Sequence, residues 1–179
     1  MSCNLTTGFA LDCFNSAGGI TDVYIASFQN KGNLSIISGS VANTGSFLAS
    51  GSGAQFFHYV PRKATGEAKS MGKVSQTNGS VYFEPEVTFT LTRTDVQKRN
   101  EVSILAQQSV MIIVHDHVGI TGSYWLYGSD SGMELTPGQT TGKGYGDLNG
   151  YTFQFGPGME TYDIVQVPAS LVSSLVTPA

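Results

Sequence analysis

Charge is scarce in this chain. Nine Lys and Arg and 13 Asp and Glu make up 12% of its 179 residues, about half the share usual in globular proteins. So few basic groups, with a net charge of −4, cannot neutralise many phosphates, which excludes tight binding along a nucleic-acid backbone. A neutral or acidic surface would instead let such a polymer pass without holding it. Cysteine is scarce too. Cys3 and Cys13 have neither CxxC nor zinc-finger spacing; they read as two reduced structural thiols, with a disulfide between them as the rival reading. No apolar run approaches the roughly 20 residues that cross a bilayer, so this chain is not expected to insert in a membrane. The first residues lack a basic start and a continuous apolar middle. The chain therefore reads as made and assembled in a cytoplasm, where the sequons at Asn4, Asn33 and Asn78 carry no weight.

Catalytic patterns are missing as well. There is no GxSxG elbow or HExxH helix, and His58, His115 and His117 are the only histidines, which leaves little choice of base. The run Gly138 to Gly144, GQTTGKG, is similar to a phosphate-binding loop. It has three residues instead of four between its glycines, and Gly144 stands where a hydroxyl would hold magnesium, so it reads as a flexible inter-strand loop. In His115-Asp116-His117, strand alternation would put both imidazoles on one face, close enough to share a metal. Two ligands fall short of the four of a structural site. The triplet reads as the polar end of a strand, with His115 and His117 as weak metal candidates. Glu84 and Glu86 read as solvated alternation, because a glycosidase pair flanks its substrate from separate elements. Neither enzymatic activity nor a cofactor is expected.

What the chain does have is glycine, 22 residues, between short aromatic and β-branched segments that favour a pleated, half-buried surface. Strands are expected at Ile20 to Phe28, Leu34 to Ser38, Phe56 to Val60, Val110 to Val114, Ser123 to Tyr127, Met133 to Leu135, Tyr151 to Phe155 and Ile164 to Val167. In Val81 to Arg93, residues Val81, Phe83, Val87, Phe89 and Leu91 share one parity and Glu84, Glu86, Thr88, Thr90 and Thr92 the other. That predicts one buried and one polar face, with Pro85 at an edge or bulge. Thr94-Asp95-Val96-Gln97 has the form of a capping box, opening the one expected helix at about 95–107. Residues 62–80 read as a long polar hairpin or loop, and 39–53 as either a loop or a weak strand pair. Together these predict a single mainly β domain over residues 1–179. Its architecture is an antiparallel β-sandwich or barrel with one flanking α-helix. An N-terminal arm (1–18) and a C-terminal tail (168–179) are then available for subunit contacts.

Ser109 to Val114 (SVMIIV) contains no charge and no proline. Such a strand must be internal or paired with a partner chain, since open ladders recruit other chains. After the helix candidate and this strand come Trp125-Leu126-Tyr127-Gly128, Gly132-Met133-Glu134-Leu135, the glycine-rich loop 138–146, and Asn149-Gly150-Tyr151. Over residues 95–167 this order resembles the C-terminal half of tail tube proteins from tailed bacteriophages. The strand and turn motif is carried by Trp125, Gly128, Gly132, Asn149, Gly150 and Tyr151.

The resemblance implies a virion structural protein. Its homo-oligomeric rings, usually hexameric, would stack into a tail tube beside other tail proteins, and DNA would pass through the tube on ejection without specific binding. It also implies Arg62, Lys63, Lys69 and Lys73 as inter-ring contact candidates. The N-terminal third matches nothing in the family pattern, which leaves a connector, terminator or baseplate ring as alternatives within the virion. A carbohydrate-binding or receptor-binding β-sandwich is the alternative outside it, with Tyr124, Trp125 and Tyr127 as candidate platforms.

Overall fold

A computed structural model describes residues 16–38, 45–49, 55–118 and 122–177. Cys3, Cys13, much of the 39–53 stretch and residues 1–15 of the expected arm lie outside the described residues. The strands are β1 (Ser16–Ser27), β2 (Leu34–Ser38), β3 (Gly45–Ala49), β4 (Phe56–Tyr59), β5 (Glu67–Ser75), β6 (Ser80–Thr92), β7 (Val110–Val118), β8 (Tyr124–Tyr127), β9 (Leu135–Thr140), β10 (Gly150–Phe155), β11 (Val165–Val167) and β12 (Val176–Thr177). The α-helices are α1 (Val96–Leu105) and α2 (Ala169–Leu175), and a 3-10 helix spans Phe28–Asn33.

The fold is mainly β and forms an open sandwich. One sheet has the order β11-β8-β7-β1-β4-β12 and the other β5-β6-β10-β9, while β2 and β3 pair on their own. All pairings are antiparallel except β12 with β4. Neither sheet closes on itself, so the barrel alternative falls.

Side-chain parity decides the core. Val23 and Ile25 of β1, Ile112 and Val114 of β7, Val87 and Phe89 of β6, and Phe153 and Phe155 of β10 meet between the sheets. Phe89 and Phe153 stack with ring centroids 5.0 Å apart. The other parity of the first sheet, with Ala26, Met111, Ile113 and Leu126, is buried beneath Val172 and Leu175 of α2. This explains the uncharged run Val110 to Val114: β7 is covered on both faces, as continuous apolar strands are, and has β1 and β8 on its two sides. Its partners come from its own chain.

Several expectations need correction. The C-terminal tail is part of the body: Pro168 opens α2, Val172 and Leu175 are buried, and β12 adds to β4. Residues 16–18 already belong to β1. The strand expected at Val110 to Val114 is longer: β7 runs on to Val118, with the histidine triplet as its polar end. Gly138, expected to open a loop, lies inside β9. The capping box does not form. Asp95 is the N-cap and its carboxylate accepts the Val96 amide, while the Thr94 hydroxyl is drawn to the Asn149 side chain at 3.0 Å. The helix is otherwise as expected, with Val102 and Leu105 packed on the core.

Pro85 lies on an internal strand and not at an edge: the chain after β10 runs beside it, and the Gly158 amide donates to its carbonyl at 3.1 Å. Phe83 directs its N–H and carbonyl to Glu160, so position 85, of the same parity, turns its nitrogen to the side where β10 has already ended at Phe155.

Candidate functional site

Three features stand out above the fold's own needs. The first is a polar cluster on the face of the first sheet that α2 flanks. Asp22 of β1 lies between two imidazoles: His58 Nε2 is 2.8 Å from one carboxylate oxygen and His115 Nδ1 is 3.2 Å from the other. The rings are clamped by tyrosines. His58 stacks on Tyr24 at 4.8 Å and His115 on Tyr124 at 4.3 Å. Burial pushes the Tyr24 hydroxyl up to about 12, with help from the Asp22 charge. Each imidazole faces its own carboxylate oxygen instead of a common point. Among the described residues no group of three or more His, Cys, Asp or Glu is arranged for a metal ion. Of the two weak metal candidates, His115 faces Asp22, while the His117 ring lies beside the Thr21 hydroxyl at 3.4 Å. Asp22 and His58 were invisible as partners because they lie 36 residues apart and only the β1–β4–β7 register joins them.

The second feature is a pair of loops in which carboxylates occupy backbone amides. In the phosphate-loop-like run, the amides of Lys143 and Gly144 both donate to Asp147, at 2.8 and 2.7 Å. Those bonds hold the Asp147 carboxyl below its ordinary value. The amides a phosphate would need are already taken. Likewise the buried Glu160 accepts from the Asp130 and Ser131 amides at 2.6 and 3.2 Å and from the Ser129 hydroxyl. Burial nevertheless raises its carboxyl above the usual range, these bonds offsetting only part of that.

The third is the β5–β6 hairpin with the cleft at the opposite end of β6. Past the bridge between Phe83 and Glu160, the hairpin continues through the pairs Gly72–Phe83, Lys73–Tyr82 and Val74–Val81. One face carries Lys69 and Lys73, paired with Glu86 at 3.1 Å and Glu84 at 3.5 Å. The other face continues the core parity of Ala68 and Val87 outward, so Val74 and Val81 are left 68% and 54% exposed. At the far end of β6, a cleft of about 390 Å³ opens between α1 and the sandwich, floored by Tyr59, Val60, Leu91 and Phe153 and rimmed by Gln97, Lys98 and Glu101. Val60 is 62% exposed there. Burial, then Glu101, pushes the Tyr59 hydroxyl well above the ordinary tyrosine value.

The remaining site residues fall into place around these features. Lys69 and Lys73 sit on the hairpin. Arg62 and Lys63 lie at its base, where the Arg62 amide bonds to the Thr90 carbonyl. Trp125 donates its indole N–H to Asp116 at 2.8 Å. Tyr151 is core, and the Asn149 carbonyl accepts the Arg93 amide at 2.7 Å. A Cβ on Gly150 would overlap the Leu91 carbonyl, and one on Gly132, at φ +78°, would lie 3.0 Å from the Phe28 ring. Gly128 has φ +74° in the turn after β8. Tyr124, Trp125 and Tyr127 form no common platform: Tyr127 and Trp125 pack towards the inter-sheet core, and Tyr124 towards the other face.

Comparison with protein-family models, curated proteins and solved structures finds no match for this chain.

Proposed function

We propose that the protein is a self-assembling structural subunit of a virion, a tail tube protein whose rings stack into a conduit for DNA. One observation carries the reading: a hairpin that extends past its own domain while turning the apolar parity of the core outward. Isolated exposed valines are ordinary. A two-stranded ribbon, however, is marginal by itself, and Val74 and Val81 facing each other across its far end form a surface suited to burial on another molecule.

The edges of the sheets restrict how subunits meet. β5 carries Lys69 and Lys73, β9 contains Pro137, and β11 and β12 are three and two residues long. These are the usual devices against edge-to-edge pairing, so contacts through side-chain faces fit better than sheets continued from chain to chain. The family resemblance over residues 95–167 supports the tail tube in particular, since its segments are α1, β7, β8, the Gly128–Gly132 turn, β9 and β10 in that order. A net charge of −4 suits a wall that DNA passes without adhering.

Electron microscopy of the purified protein across a concentration series tests this. Stacked rings or tubes are expected. Closed single rings would point to a connector, terminator or baseplate role, and a monodisperse monomer that binds glycans would overturn the reading.

A further inference from the structure

We propose that the cavity beside Trp125 and Tyr127 binds a small organic cation, with a primary ammonium group held at the Tyr127 hydroxyl. The site goes beyond the subunit reading and does not depend on it. Its origin lies in β1. Ser16 pairs with Val118 and Ile20 with Asp116, so Ala17 to Gly19 stand opposite His117 alone. Such a bulge bends a strand away from its neighbour. Between it, the start of β5 and the side chains of Trp125 and Tyr127 lies a cavity of about 340 Å³, within the size range of small-ligand sites. Ile20, Val114 and Ile164 give it apolar walls.

Tyr127 points to a ligand. Only 6% of the residue is exposed, yet its hydroxyl has no hydrogen-bond partner among the described residues. No unpaired side-chain polar atom among them is fully buried, so the hydroxyl opens onto the cavity that Tyr127 lines. A phenol oxygen both donates and accepts, and the charges around this one select what it meets. Burial chiefly, then the charges of Asp116 and Asp163, push the hydroxyl up to about 12. Asp116 is fixed in the wall by the Ser123 amide at 2.7 Å and the Trp125 indole at 2.8 Å, and the exposed Glu67 stands at the edge. Among the described residues that line the cavity there is no Lys, Arg or His. An anion would meet like charge there. A neutral alcohol would gain the hydrogen bond and nothing from the carboxylates. An ammonium gains both, together with the faces of two aromatic rings.

Trp125 is the only tryptophan of the chain, so its fluorescence reports on the site directly. Titration with n-butylammonium at fixed ionic strength should give a saturable change. Neutral 1-butanol and anionic butyrate, of the same length, should bind weaker by about tenfold or more. Tyr127→Phe removes the oxygen and keeps the ring; with thermal melting like wild type, it should weaken n-butylammonium by about tenfold. Glu67→Gln, at an exposed position, should weaken it by about two- to fivefold, and this variant decides alone if Tyr127→Phe does not fold. The site is wrong if 1-butanol binds as well as n-butylammonium, or if n-butylammonium gives no saturable change. Wild-type affinity in the deciding variant overturns it equally.

Discussion

Asp22 holds two histidines that are far away in the chain, and its loss should be felt as two broken hydrogen bonds. Asp22→Ala leaves the His58 and His115 nitrogens facing a part-buried gap, a change expected to cost about 1–3 kcal/mol and read as a lower urea midpoint at unchanged slope. Gly132→Ala should be of similar size, about 1–2 kcal/mol, because the residue sits at φ +78° against the Phe28 ring.

The carboxylates around the 129–131 turn give opposite pH dependences. The Thr161 hydroxyl chiefly, then the Thr161 amide and Lys31, hold Asp130 below its ordinary value. Its contribution is therefore present above the unfolded value and is lost as pH falls through the lowered folded value. Glu160 is raised by burial; its contribution is complete below the unfolded value and is lost as pH rises through the raised folded one. Thermal midpoints from pH 7 to 3 should pass through a maximum in mild acid. Glu160→Gln should flatten the neutral limb and Asp130→Asn the acid limb; limbs unchanged in both variants would refute the assignment.

Among the elements, strands with a clear parity are legible in the sequence by itself. Val87 and Phe89 of β6 are buried as their alternation requires, and β4, β8 and β10 fall within a residue or two of expectation. Elements without a local signal are not legible. α2 has no side-chain cap and no charge, and forms because Val172 and Leu175 cover the outer face of β7 and β8, a stabilisation that no window of sequence displays. Leu175→Ala should therefore cost about 2–5 kcal/mol, measured as the loss of unfolding free energy. The hairpin shows the converse. Replacing Lys73 to Tyr82 by Asn-Gly joins the paired residues Gly72 and Phe83 through a favoured two-residue turn. Melting should stay within a few degrees of wild type while stacking is lost.

At the scale of the whole molecule, β7 is covered by its own chain while Val74 and Val81 of the hairpin stay exposed. Those valines are apolar, so association of subunits through them should strengthen with excluded salts and survive ionic strength. In ~1 M NaCl, where the Debye length is about 3 Å, the concentration at which assembly begins should stay the same or fall. A tenfold rise, followed by light scattering, would show that charges and not the valines drive the contact.

Composition, parity and turn residues determined that this chain is a mainly β domain with a flanking helix and without a recognisable catalytic motif, because those are local properties of neighbours in sequence. Which face of β7 needed covering and by what, that Asp22 joins His58 to His115, and that the hairpin's valines and the α1 cleft end up at opposite ends of one strand were decided by the tertiary structure alone. Each of these depends on the register between strands far apart in the chain, and register is set by the packing of both faces at once.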